Sequence, residues 1–132
     1  MYKNKVVLIT GTTRGVGLEI ANYFLKNGAT VIGLSRGKST INNAHYHHFN
    51  ADLGNGEEIV NCFKKEISKQ FKIIDIVINN AALLTSQYAM IMPVKNATEM
   101  VQVNLLGVFF VSREAAKLMR KSTCGRIINI SS

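Results

Sequence analysis

Apolar positions along the chain fall into two kinds of run. Val6-Val7-Leu8-Ile9 is apolar at four successive positions, as expected of a strand covered on both faces. Ala29 to Leu34 reads as a second strand, short and apolar, Ile73 to Ile78, nearly all β-branched with Asp75 near its start, reads as a fourth, and Lys5 to Thr10 bounds the first. Elsewhere the apolar residues step by threes and fours. Leu18, Ala21 and Leu25, with Ile20 and Phe24, predict a helix from Gly15 to Asn27, stopped by Gly28. Ile59, Phe63, Ile67 and Phe71 recur every four residues and predict a helix from Asn55 to Phe71. Asn55 and Glu58 have the spacing of a capping box.

Tyr46 to Asn50 reads as a third strand, crowded by His45, His47 and His48, and Gly125 to Ile130 reads as a fifth. Leu83 to Asn96 is irregular and holds the only proline, Pro93. Ala97 to Lys121 reads as one or two helices. Its middle, Met100 to Val111, is apolar almost all round, whereas a solvent-facing helix shows a polar face. It is therefore expected to be buried on both sides, by the sheet and by another subunit.

Strands alternating with helices predict an α/β fold, a doubly wound parallel sheet with right-handed crossovers in the order 3-2-1-4-5. Residues 1–132 form one domain in this reading. Ligands of such sheets bind over the reversal of strand order, beside the first strand. A fifth strand followed at once by Ser131 and Ser132 has an uncovered apolar edge, so a truncated unit is expected.

Composition narrows the options. The chain has 132 residues, 47% of them hydrophobic, enough for one α/β core. The formal charge of +8 would suit an anionic partner. The basic residues are scattered, however, and a nucleic-acid partner is not expected. No apolar run approaches the roughly 20 residues of a membrane-spanning helix. A strand beginning at Lys5 leaves no room for a signal peptide, and a cytoplasmic location is the simplest expectation. Cys62 and Cys124 make neither a disulfide scaffold nor a metal cage. Strand alternation separates His48 from His45 and His47, and no carboxylate or cysteine pair completes a shell, so no metal is expected. Met90 and Met92 are expected in an apolar substrate wall or lid.

The candidate chemistry starts at Thr10-Gly11-Thr12-Thr13-Arg14-Gly15-Val16-Gly17. A buried strand that passes through glycines into a helix presents free main-chain N–H groups and the positive end of the helix dipole to a phosphate. The glycine spacing differs from the general G-x-G-x-x-G pattern. No Gly-Lys-Ser or Gly-Lys-Thr follows, which excludes a triphosphate loop.

Together with Asp52-Leu53, Asn79-Asn80-Ala81-Ala82, Val103-Asn104-Leu105-Leu106-Gly107 and Gly125-Arg126-Ile127-Ile128-Asn129-Ile130-Ser131-Ser132, this stretch resembles the short-chain dehydrogenase/reductase family. The resemblance runs over the whole chain and corresponds to about the first half of such an enzyme. It implies an oxidoreductase that interconverts a carbonyl and an alcohol by hydride transfer, with a nicotinamide cofactor. Gly11, Gly15 and Gly17, with Val16 in the same loop, are implied at the pyrophosphate, and Thr12 and Arg14 near the adenosine. Asp52, with Leu53, is implied at the adenine. Asn79 is implied to hold the central strand and the cofactor ribose, with Ala81 and Ala82 beside the cofactor. Ala82 stands where the family usually has glycine, which bears on cofactor geometry if φ there is positive.

Ser132 and Asn104 match the family's catalytic serine and asparagine. Asn104, an amide amid Val103, Leu105 and Leu106, is expected to be buried and to demand partners. After the second strand the chain reads Ser35-Arg36-Gly37-Lys38, with no acid to hold ribose hydroxyls. Ser35 and Arg36 suit a 2′-phosphate instead, so NADP(H) is expected in preference to NAD(H). A homodimer or homotetramer is expected through the apolar helix around Val108 to Ala116.

The family's Tyr-x-x-x-Lys pair is absent. Tyr2, Tyr23, Tyr46 and Tyr88 are followed four residues on by Val6, Asn27, Asn50 and Met92. The 132-residue chain itself is thus expected to be inactive. The alternative is a non-catalytic nicotinamide-nucleotide-binding or interaction protein of the same fold. An epimerase or dehydratase acting on a nucleotide-sugar is disfavoured by the glycine spacing.

Overall fold

Five parallel strands form one sheet in the order β3-β2-β1-β4-β5, as the alternation predicts. The computed structural model describes residues 1–131. The strands are β1 (Val6–Thr10), β2 (Thr30–Ser35), β3 (Tyr46–Asn50), β4 (Ile76–Asn79) and β5 (Arg126–Asn129). β1 is central: Val7 lies beside Val31 and Ile76, and Ile9 beside Gly33 and Ile78. β4 begins at Ile76 and not at Ile73. In this register residues 73 and 74 lie beyond the start of β1 and have no strand to pair with.

Helix α1 (Gly15–Lys26) ends at Asn27 and Gly28, the latter at φ +89° as a left-handed C-terminal glycine. Helix α2 (Gly56–Cys62) is capped by Asn55, whose Oδ1 accepts from the N–H groups of Glu57 and Glu58. It continues through a π turn, Phe63–Ile67, into the short α3 (Ser68–Gln70). Helix α4 (Val94–Val101) starts directly after Pro93, three residues before the sequence pattern suggests. Proline ahead of the first turn forfeits no helical hydrogen bond. A second π turn, Gln102–Gly107, joins α4 to α5 (Val108–Met119).

Strand residues alternate between two cores. Val7, Ile9 and Val31 face Ala21 and Phe24 of α1. Leu8, Ile32, Leu34 and Val77 face Ile59, Phe63, Ile67, Val111 and Ala115. Each buried Leu or Ile contributes roughly 1.5–3 kcal/mol, so both faces of the central strands are held firmly.

Burial of the long helix and of β5 differs from that of the central strands. The helix through Met100 to Val111 is covered on one side only: Gly107 and Val111 face inward, while Val101, Leu105, Leu106 and Phe109 are exposed. The sheet fills one face, and among the described residues nothing covers the other, the face expected against another subunit. β5 is exposed along its whole length, as the uncovered edge expected from the sequence. Among the described residues no helix is long and apolar enough to cross a membrane.

Candidate functional site

The site lies where the loops leaving β1 and β4 meet, at the carboxyl ends of the strands. Thr10 ends β1, and its hydroxyl oxygen accepts from the N–H groups of Asn80 (3.0 Å) and Ala81 (2.9 Å). In return the Asn80 side-chain amide donates to the carbonyl oxygens of Thr10 (3.1 Å) and Gly11 (3.4 Å). The two loops are thereby stitched together at their base. Above them a cleft of about 580 Å³ opens, bounded on the other side by residues 35–37, 52 and 53. Its size is that of small-ligand sites in general.

The glycine loop is shaped for close approach. Gly11 and Gly15 have φ of +73° and +57°, the region that favours glycine. A Cβ on Gly15 would meet nothing within 4 Å, so bare backbone faces the cleft there. A Cβ on Gly17 would overlap the Gly11 carbonyl oxygen, so this glycine lets α1 press against the loop. Arg14 is the N-cap of α1, gives no side-chain cap, and the first turn has no acid. The helix start therefore keeps free N–H donors and an unopposed positive dipole. Arg14 and Arg36 line the cleft with a single acid, Asp52. An anion with more than one negative charge suits this balance.

Of the residues expected at a cofactor, Gly11, Arg14, Gly15, Ser35, Arg36, Asp52, Leu53, Ala81 and Ala82 line the cleft. Four do not. Thr12 is fully buried beneath it, bonded to Tyr46. Gly17 is buried under the loop, and Val16 is 63% exposed and outside the cleft's lining. Asn79 is buried in the sheet, its Nδ2 donating to Ser112 Oγ (3.0 Å) and Asn129 Oδ1 (2.8 Å). Its own Oδ1 has no partner among the described residues. Ala82 is not in the left-handed region, since Asn4 is the only non-glycine residue with positive φ among those described. The methyl group therefore costs no backbone strain.

Asp52 does two things. Its Oδ1 closes a turn on the Gly54 N–H (2.9 Å), and its own N–H donates to the Glu58 carboxylate (2.9 Å). Glu58 thus reaches past its own cap residue and holds the rim of the cleft. Gly107 brings the second π turn up to the same place, because a Cβ there would lie 2.5 Å from the Leu53 carbonyl oxygen.

Asn104 corrects an expectation: it is exposed. It still meets its hydrogen-bonding need, by bonding both main-chain groups of Leu83. Ser132 lies outside the described residues. Met90 is 96% exposed and, like Met92, lies off the cleft. His47 bonds Gln70 and packs edge-on against Phe71, whereas His48 bonds Tyr46 and Gly37.

Sequence reasoning missed Thr10 and Asn80 as the pair that joins the two loops, and Tyr46, His48 and Asn50 beneath residues 35–37. One signal was present. Gly33 interrupts an otherwise apolar strand, which marks a close approach by another group.

Comparison with known proteins agrees with this geometry. Residues 5–132 match the family model described as short chain dehydrogenase. The chain is 32% identical over 140 residues to the 3-oxoacyl-[acyl-carrier-protein] reductase FabG of Haemophilus influenzae, covering 98% of this chain and 56% of that protein. It is 36% identical over 140 residues to the protein of the same name from Aquifex aeolicus, with the same coverage. Among solved structures, the ligand-free aldohexose dehydrogenase of Thermoplasma acidophilum superposes with a TM-score of 0.90 at 30% identity, over 99% of this chain and 50% of that one. A short chain dehydrogenase from Leptospira borgpetersenii with bound NAD+ superposes with a TM-score of 0.88 at 29% identity, over 99% and 52%. The chain thus spans about half the length of the relatives it matches. With that family's strand order, its glycine loop and its model matched from residue 5 onward, the chain belongs to the short chain dehydrogenase family.

Proposed function

We propose that these 132 residues are the dinucleotide-binding part of an oxidoreductase that interconverts a carbonyl and an alcohol, using NADP(H) in preference to NAD(H). The observation that carries the reading is the uncapped start of α1, opening with Gly11 and Gly15 into a cleft that holds two arginines. Free N–H donors at a helix start hold a pyrophosphate. Arg14 and Arg36 flank a 2′-phosphate, with the Ser35 hydroxyl as a further donor. Asp52 keeps Oδ2 for the exocyclic adenine amine while Oδ1 closes its turn. Leu53, Ala81 and Ala82 supply the apolar walls. The nicotinamide, when bound, supplies or accepts the hydride.

The substrate class is drawn from chemistry shared by the relatives: a 3-oxoacyl reductase and an aldohexose dehydrogenase both exchange C=O for CH–OH. Asn104 acts as a positioning residue, holding the loop that leaves β4 next to the reacting end. Ser132 is assigned the hydrogen bond to the substrate oxygen. A proton donor of the Tyr-x-x-x-Lys type is not among these residues. The 132-residue chain alone therefore binds dinucleotide without turnover. The outer face of the long helix, with Val101, Leu105, Leu106 and Phe109, is the surface for a homodimer or homotetramer.

The test is calorimetric titration of the chain with NADPH and NADH, repeated on Arg36→Ala. NADPH is expected to bind more tightly, and Arg36→Ala to weaken it about tenfold, the equivalent of roughly 1.4 kcal/mol, with little change for NADH. Tighter binding of NADH by the unaltered chain overturns the cofactor reading. Carbonyl-dependent NADPH oxidation at an ordinary enzymatic rate overturns the assignment of binding without turnover.

A further inference from the structure

A chain of polar groups runs beneath the loop after β2, and the reading above makes no use of it. Thr12 Oγ1 and Tyr46 Oη are 2.8 Å apart and buried. Tyr46 Oη and His48 Nδ1 are 2.8 Å apart, and His48 Nε2 lies 2.7 Å from the Gly37 carbonyl oxygen. The last link sets the direction of the others. A carbonyl oxygen only accepts, so Nε2 carries the hydrogen. In the tautomer with the hydrogen on Nε2, Nδ1 accepts from Tyr46, and the Tyr46 oxygen accepts from Thr12.

Tyr46 reaches across the sheet because β2 has Gly33 at the crossing. A Cβ there would overlap the Tyr46 hydroxyl and lie 2.6 Å from Thr12 Oγ1. Two residues beyond His48, on the same face of β3, Asn50 Nδ2 donates to the carbonyl oxygens of Ser35 (3.3 Å), Arg36 (3.0 Å) and Gly37 (3.1 Å). Sharing its two hydrogens among them, Asn50 reaches every carbonyl from 35 to 37 from β3. That of Gly37 is held by both His48 and Asn50.

We propose that His48 and Asn50 are positioning residues for recognition of the adenosine 2′-phosphate. They clamp the main chain of residues 35–37, so that Ser35 and Arg36 are set in place before the ligand arrives. The proposal rests on the NADP(H) reading given above. A loop left unclamped loses its freedom only when a ligand orders it, and that loss weakens binding. It falls on the ligand that needs the loop. A dinucleotide without the 2′-phosphate does not need it, so the clamp acts on preference between the two cofactors. Through Tyr46 and Thr12 the same chain ties this loop to the glycine loop.

His48→Leu removes the donor to Gly37, and His48→Gln restores an N–H at the position of Nε2. Asn50→Ala removes the second arm. Titration of each variant with NADPH and NADH is expected to show about tenfold weaker NADPH binding for His48→Leu and Asn50→Ala, with NADH within about twofold. His48→Gln is expected to return NADPH binding to within about threefold of the unaltered chain. Hydrogen exchange without any dinucleotide gives a separate readout: amides of residues 36–39 exchange faster in His48→Leu and Asn50→Ala than in His48→Gln. An equal loss of NADPH and NADH binding, or unchanged exchange at 36–39, overturns the proposal. Preference of the unaltered chain for NADH sinks the cofactor reading and this proposal with it. The exchange rates then still decide whether the clamp itself exists.

Discussion

Asn104 and Leu83 close on each other through two hydrogen bonds: the Leu83 N–H donates to Asn104 Oδ1 at 2.8 Å, and Asn104 Nδ2 donates to the Leu83 carbonyl oxygen at 2.7 Å. The side-chain amide does for the loop what a neighbouring strand would do. The π turn at Gln102–Gly107 presents it, and such widened turns are frequent at functional sites. Asn104→Ala removes both bonds and is expected to cost about 1–2 kcal/mol. Asn104→Asp keeps the acceptor but sets a carboxylate against the Leu83 carbonyl oxygen, and is at least as damaging. Urea unfolding of both variants checks this. Unchanged midpoints would show that the loop is held by something else.

Gly15 and Gly17 are expected to fail in different ways. At Gly15 a methyl group meets open space, and the left-handed backbone costs roughly 1–2 kcal/mol. Gly15→Ala should therefore fold, yet lose NADPH binding because the methyl group occupies the cleft. At Gly17 a methyl group meets the Gly11 carbonyl and lies 2.5 Å from Asn80 Nδ2, both fixed by hydrogen bonds. Gly17→Ala should lose about 3 kcal/mol of stability as α1 shifts. Thermal melts beside NADPH titrations separate the two, and a stable Gly17→Ala chain that binds normally would contradict the packing described.

Asp75 sits at the opposite end of the sheet and is 6% exposed. Burial pushes its carboxyl pKa up. Hydrogen bonds from Ser122 Oγ (2.6 Å) and the Val6 N–H (2.9 Å), with the Lys5 ammonium at 3.6 Å, outweigh that effect and hold it below its ordinary value. A carboxyl whose pKa is lowered on folding stabilises the fold above its unfolded value. That contribution is lost as pH falls through the folded value. The difference in unfolding free energy between the unaltered chain and Asp75→Asn should be about 2–3 kcal/mol at pH 7 and shrink steadily below pH ~4. A difference that stays constant from pH 7 to pH 3 would count against the ionised form.

Cys62 and Cys124 should differ in reactivity. Burial, with the nearby Glu66 charge, pushes the Cys62 thiol pKa up to about 12, whereas Cys124 is exposed. At pH 8 a thiol reagent is expected to modify Cys124 quickly in the folded chain and Cys62 only after unfolding. Mass analysis of peptides from briefly labelled protein reads this directly. Rapid labelling of Cys62 would show that the core between α2 and the sheet opens readily.

Much of this was legible along the chain. The run Val6–Ile9 is apolar at consecutive positions, as a parallel strand covered on both faces requires. The Asn55 cap and the Gly28 stop are local, so their spacing announces them. The glycine loop is local too, and Gly11, Thr13, Arg14 and Gly15 of it line the cleft. Errors came where exposure depends on distant chain. The middle of the long helix carries the composition of a buried one, but its outer face has no neighbour within these residues. Asn104, expected to be buried there, is exposed.

Periodicity and turn chemistry along the chain settle the elements, their order and the free helix start, because those depend on neighbours a few residues apart. Which side chains close the cleft is a long-range matter. Thr10 reaches Asn80 across 70 residues, and Asn104 holds Leu83 across 21. His48 finds Gly37 only because β3 lies beside β2 in one register. Such pairs exist once the sheet has assembled, since hydrogen bonds need atoms within about 3 Å, and no spacing along a chain specifies that distance.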